Sequence, residues 1–207
     1  NFMSKNTNFL NQSYKELCIE SIIKHCGNSF NICIIDDDSF SKVLPNWSIQ
    51  MNKLANPIKE HIRTLGLLKV LYKHGGMILP SHFICLKDMK NIHEKMTGYG
   101  KCYVGEVVNH TRTHDSNLFT PSTKIIGCEK NNNTINEFIS YLENASSTIH
   151  NDFYKFESVL NYLHVSINKY KMNVIPAIDL GIKNTDGKLV VIDDMMGNSP
   201  MNLKCNK

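Results

Sequence analysis

Side chains able to ligate a metal, move a proton or hold a phosphate gather at a few places in this sequence. Asp36, Asp37 and Asp38 follow the apolar run Phe30-Asn31-Ile32-Cys33-Ile34-Ile35. Adjacent carboxylates are hard oxygen ligands, suited to Mn²⁺ or Mg²⁺ and, through the ion, to a diphosphate. Glu106 lies near the end of the apolar run that starts at Tyr103 and could serve as a general base. His82 stands alone shortly after Pro80 and could ligate a metal through its imidazole. His110, Arg112 and His114 share a polar stretch and could cradle a phosphate. Each also has a plainer account: a solvated strand end at 36–38, a salt bridge at Glu106, polar surface at His82 and an ordinary basic loop at 110–114.

These residues need elements to position them. Ser13, with Glu16 three residues on, has the capping-box arrangement and opens a helix over 14–25. Leu17, Ile19, Ile22 and Ile23 would form its buried stripe, and Gly27-Asn28 its stop. The run at 30–35 is short, apolar and β-branched, the composition of a buried parallel strand. It would carry Asp36, Asp37 and Asp38 at its carboxyl end. Residues 59–74 read as a helix stopped by Gly75-Gly76. A short strand at 77–79 follows, then a polar corner at Pro80 and an extended stretch at 83–86. Further strands are expected at 103–108, 124–128, 172–176 and 189–192, the last two joined through a turn at 184–187, and helices at 134–146 and 152–169. Strands alternating with helices imply an α/β fold with a mainly parallel central sheet flanked by helices. Open sheets of that kind bind ligands beyond the carboxyl ends of their strands.

Composition narrows the functional classes. A chain of 207 residues suits one α/β domain spanning 1–207 and is short for two. A net charge of +4, with basic residues scattered along the chain, argues against a nucleic-acid partner. The seven cysteines show no CxxC or CxxH spacing, which argues against a zinc site. Odd in number and often inside apolar runs, they read as reduced and buried, in a reducing compartment. No apolar run approaches the roughly 18 residues of a membrane span. The first residue is Asn1, so the chain reads as a piece of a longer product, with a first strand or an anchor upstream left open. Five Asn-x-Ser/Thr sequons, at Asn11, Asn46, Asn109, Asn132 and Asn144, are what chance gives in so Asn-rich a chain.

The order helix, Tyr72-Lys73-His74-Gly75-Gly76, strand, polar corner is similar to the DXD-containing glycosyltransferases of the initiating α-mannosyltransferase type, which have the type-A glycosyltransferase fold. Leu17-Cys18-Ile19-Glu20-Ser21-Ile22 followed by Ile34-Ile35-Asp36-Asp37-Asp38 looks like that family's first helix and acid-ended strand. Residues 71–78 look like its glycine-pair core, and 125–142 like a later strand and helix. The chain also resembles the degenerate glycosyltransferase-like proteins of nucleocytoplasmic large DNA viruses. The likeness lies around Trp47, over 71–77, at the Pro80 corner with Cys85-Leu86-Lys87, and at Val104-Gly105-Glu106. A bias toward Asn, Lys and Ile fits an AT-rich genome.

The resemblance implies a metal-bound nucleotide sugar on an Asp-x-Asp pair after the glycines, but those two positions here are Pro80 and His82. The helical Asp and Arg that would face the nucleotide are Thr64 and Leu67. Arg63 lies next door, about 100° around the helix. The expectation is therefore a glycosyltransferase-like protein that has lost its metal and nucleotide-sugar site. It would need no cofactor and would serve as a structural or binding component beside other viral structural proteins, in the virion or the host cytoplasm. The alternative is an active Mn²⁺- or Mg²⁺-dependent nucleotide-sugar transferase with relocated acids. Asp36, Asp38, Glu106 or Asp194 (beside Asp193) would then carry catalysis, with metal on Asp36, Asp38 or His82. Arg63, Gly75, Gly76, His82 and Arg112 would surround the donor. A third reading is a carbohydrate-binding protein that keeps an acceptor groove.

Overall fold

Residues 13–108, 119–148, 152–191 and 203–204 are described by the computed structural model. Helix α1, Ser13–Cys26, ends where the Gly27 N–H donates to the Ile23 carbonyl at 2.9 Å. Its expected stripe needs correction. Leu17 and Ile23 are 57% and 52% exposed, and the side chains it buries are Cys18 and Cys26. A single turn, α2, covers Phe40–Val43. Helix α3, Ile58–His74, buries Leu65, Leu68 and Leu71 on one face, the three-residue spacing of an amphipathic helix. Then come β1 (Gly76–Ile78), α4 (Lys90–Thr97), β2 (Cys102–Val107), β3 (Thr120–Cys128), α5 (Asn133–Thr148), α6 (Asp152–Asn168) and β4 (Met172–Ile175). Among the described residues, no helix is long and apolar enough to cross a membrane.

The fold is mixed α/β, with the strands in the order β1-β3-β2-β4. β3 runs antiparallel to both neighbours, and among the described strands only β2 and β4 are parallel. This corrects the expectation of a mainly parallel sheet. Parallel neighbours need a crossover connection. α5 and α6 supply one before β4, whereas no helix of the described chain separates β2 from β3.

Alternation along β2 shares its side chains between two layers. Cys102 and Val104 join Leu65, Leu68, Leu71, Phe138, Leu142 and Leu163 in the main core, between the sheet and α3, α5 and α6. Tyr103 turns to the other face, where its hydroxyl meets His93 Nδ1 of α4 at 2.9 Å. A Cβ on Gly127, its partner across the ladder, would lie 2.3 Å from the Tyr103 ring, so glycine is required there. A second cluster, Phe40, Leu44 and Met51 with Trp47, packs α2 onto α3 through Gly66.

Residues 30–35 form no strand. They run irregularly over the surface, with Ile32 37% and Ile34 69% exposed and Cys33 also exposed. Strand composition needs a hydrogen-bonding neighbour to become a strand, and none of the described strands pairs with this run. The expected late strand at 189–192 shrinks to one bridge, Lys183 to Leu189. The turn before it forms as expected, with the Gly187 N–H donating to the Asn184 carbonyl at 3.0 Å.

Candidate functional site

The glycine-pair corner has the expected course. Gly75 takes φ +73, which L side chains rarely adopt, and its N–H caps α3 by donating to the Leu71 carbonyl at 2.7 Å. A Cβ there would sit 2.8 Å from the Lys130 nitrogen. The Asn131 N–H donates to the Tyr72 carbonyl at 2.8 Å, so the end of α3 is tied to the turn before α5. Gly76, at φ +93, starts β1. Lys73, in the same run, donates to the Val43 carbonyl at 3.0 Å and joins α3 to the end of α2. Beyond β1, Pro80 accepts from the Phe83 N–H at 3.0 Å in a tight turn, and His82 is exposed at its tip.

Three of the candidate acids, Asp36, Asp37 and Glu106, are occupied within the protein. Asp36 Oδ1 accepts from the Ser39 N–H at 2.8 Å and from the Ser39 hydroxyl at 2.5 Å, closing the turn into α2. Those bonds hold its carboxyl below the usual carboxylate range. Asp37 accepts both Nε and Nη2 of Arg63 at 2.8 Å, a bidentate pair, with Lys59 at 3.1 Å. The Arg63 guanidinium foremost keeps Asp37 ionised well below its ordinary value, and Asp37 in turn pushes the Arg63 pKa up. Arg63 also bonds Glu60 at 2.5 Å, so the cation proposed for a nucleotide is spent within the protein. Glu106, mostly buried, accepts the Ala177 N–H at 2.9 Å and pairs with Lys183 at 3.1 Å. It clamps the end of β2 to the loop after β4, the structural account anticipated for it.

Thr64 and Leu67, the helix positions at which the resemblance implies nucleotide contacts, are engaged within the protein. The Thr64 hydroxyl donates to the Glu60 carbonyl at 3.0 Å, and Leu67 packs against the Phe40 cluster. Asp88 is an acid that sequence reasoning overlooked. Its carboxylate accepts the Lys90 N–H at 2.9 Å ahead of α4 and also takes the Ser29 hydroxyl. An aspartate placed just before a helix signals that role. His110, Arg112, His114, Asp193 and Asp194 lie outside the described residues.

Asp38 differs from its neighbours. Its carboxylate has no partner among the described residues. It borders an open groove of about 450 Å³ shared with Ser41, Trp47, Ser48 and Gln50. Trp47 packs on Phe40 with ring centroids 4.9 Å apart and the rings tilted by 31°, and its buried indole N–H finds no acceptor among the described residues. Nothing in the sequence pointed to this groove, because it forms where an irregular loop folds back on α2.

A metal-bridged diphosphate needs several hard oxygen ligands converging on one point. The described residues do not assemble such a set. The corner offers Pro80 and His82, Asp36 and Asp37 are engaged within the protein, and no three His, Cys, Asp or Glu side chains among the described residues converge. No family model, no curated protein and no solved structure matches this chain.

Proposed function

We propose that this protein is a glycosyltransferase-like domain that has exchanged donor chemistry for a structural or binding role, as a component of a large DNA virus working beside other structural proteins of the particle. One observation carries the reading: among the described residues, Asp36, Asp37, Glu106 and Arg63 are tied into turns and ion pairs, which leaves Asp38 as the one candidate acid without such a partner there. Freeing Asp37 for a metal would break its bidentate pair with Arg63, which would keep Glu60, and its contact with Lys59, a cost that an ion must repay before it binds. Exposed Leu17, Ile34, Ile84 and Leu86 add apolar surface suited to a partner.

A rewired transferase or sugar-binding protein is the second reading. It is favoured by the unpartnered Asp38 beside the Trp47 groove. Calorimetric titration with UDP, GDP and UDP-hexose, with and without Mn²⁺, separates the two. The primary reading expects no binding to a folded sample. Metal-dependent micromolar binding, abolished in Asp38→Ala or Asp194→Ala, would establish the second instead.

A further inference from the structure

The carboxyl end of α1 meets the segment after the Pro80 corner through a compact set of contacts. The Cys85 N–H donates to the Ser21 hydroxyl at 2.9 Å, and the Ser29 hydroxyl donates to Asp88. Between these two contacts lie Cys26 and Cys85, both 2% exposed, with their sulfurs 3.5 Å apart. The Cys85 thiol also donates to the Lys87 carbonyl at 2.9 Å. No sulfur–sulfur contact is seen for Cys102 or Cys128, two other buried cysteines. Their thiols point to the carbonyls of Lys171 and Leu71.

We propose that Cys26 and Cys85 are a disulfide site, closed by a small disulfide oxidant of the glutathione class and opened by the corresponding thiol. A disulfide needs sulfurs about 2.05 Å apart, so the pair must close by about 1.5 Å. The flanking Ser21 and Ser29 contacts already hold the two segments in register for that movement. The exchange runs in two steps. One cysteine thiolate attacks the oxidant's sulfur–sulfur bond and releases one small thiolate, leaving a mixed disulfide. The second cysteine thiolate attacks the protein sulfur of that mixed disulfide, forms the Cys26–Cys85 bond and expels the second small thiolate. Each protein thiol loses its proton to a departing thiolate, so two protein thiols and one disulfide become one protein disulfide and two small thiols. Burial, with Cys26 alongside, pushes the Cys85 thiol up to about 12, which makes the first attack slow in the folded state. The product would pin a helix that exposes Leu17 and Ile23 to the corner that follows β1.

The test is disulfide mapping of the folded chain, equilibrated across ratios of oxidised to reduced glutathione, quenched in acid, alkylated and digested without reduction. The expected product is a single linked pair of peptides carrying Cys26 and Cys85, lighter by two hydrogens. A Tm rise of roughly 5–10 °C over the reduced protein should accompany it, as for a cross-link closing a loop of this length. Cys85→Ser and Cys26→Ser should each abolish that rise. The proposal is overturned if the most oxidising buffer gives no linked peptide, leaves glutathione on one cysteine without a cross-link, or spreads the links over several cysteines. The wild-type map decides the matter even if a serine variant fails to fold.

Discussion

The corner after α3 and the turn at residues 36–39 both place polar residues behind a short apolar run, but only the corner is mounted on the sheet. At the corner, β1 pairs with β3 over Gly76↔Cys128, Met77↔Gly127 and Ile78↔Ile126. The run at 30–35 has no such partner and leaves Ile32 and Ile34 at the surface. Local composition is alike in the two places, and pairing is what separates them. Chemistry divides in the opposite sense. The well-seated corner carries Pro80 and His82 and no carboxylate, whereas the unseated turn holds three and commits two of them to a turn and an ion pair.

Single substitutions should expose the difference, most strongly in the core behind the corner. Leu68 is 1% exposed within the main cluster. Leu68→Ala should lower the unfolding free energy by about 3–4 kcal/mol. Ile34→Ala should change it by less than about 0.5 kcal/mol. Both are read from urea denaturation midpoints at constant slope. Similar losses at the two sites would mean that 30–35 is buried in solution and that the contrast is wrong.

Arg63→Ala probes the turn itself. The pair is partly exposed, so the discounted loss is about 1 kcal/mol, shrinking with added salt. Its pH dependence has a definite sign. The carboxyl of Asp37 is lowered in the folded state, so its contribution is present above the ordinary value of 3.8 and lost as pH falls through the folded value. The variant should therefore show a shallower acid limb than wild type, and an unchanged limb would remove the ion pair from the account.

The smallest effect is expected at His93, which joins the 30–35 run to the sheet through Phe30, edge-on at 5.7 Å, and Tyr103 of β2. Burial lowers its pKa from 6.5, so the folded state favours the neutral ring. Stability is then complete above about pH 6.5 and declines as pH falls from there through the folded value. His93→Gln should lack that limb in a series of melts from pH 7.5 to 5, and an identical slope would assign the decline to other groups.

Much of the frame was legible in the sequence. Helical spacing located α3 and α5, and the glycine pair located the stop and the strand after it. What escaped depended on distant partners. The direction of β3 follows from which strand it meets, and a three-residue spacing of leucines carries no such information. Burial on α1 was misjudged because apolar type alone does not say which face meets the 85–87 segment. At the site, Asp36, Asp37 and Asp38 were visible as a cluster, but their separate fates were not. Arg63 reaches Asp37 across a loop whose path only the fold defines, while Glu106 serves a segment some seventy residues away.

Gly75 bears on how such a chain could be traced. Its side-chain position is filled by the Lys130 amide, so glycine there is enforced by the crossing of two backbone segments, whatever is bound nearby. A glycine at that position therefore reports how two backbone segments cross and carries no information about the chemistry beside it.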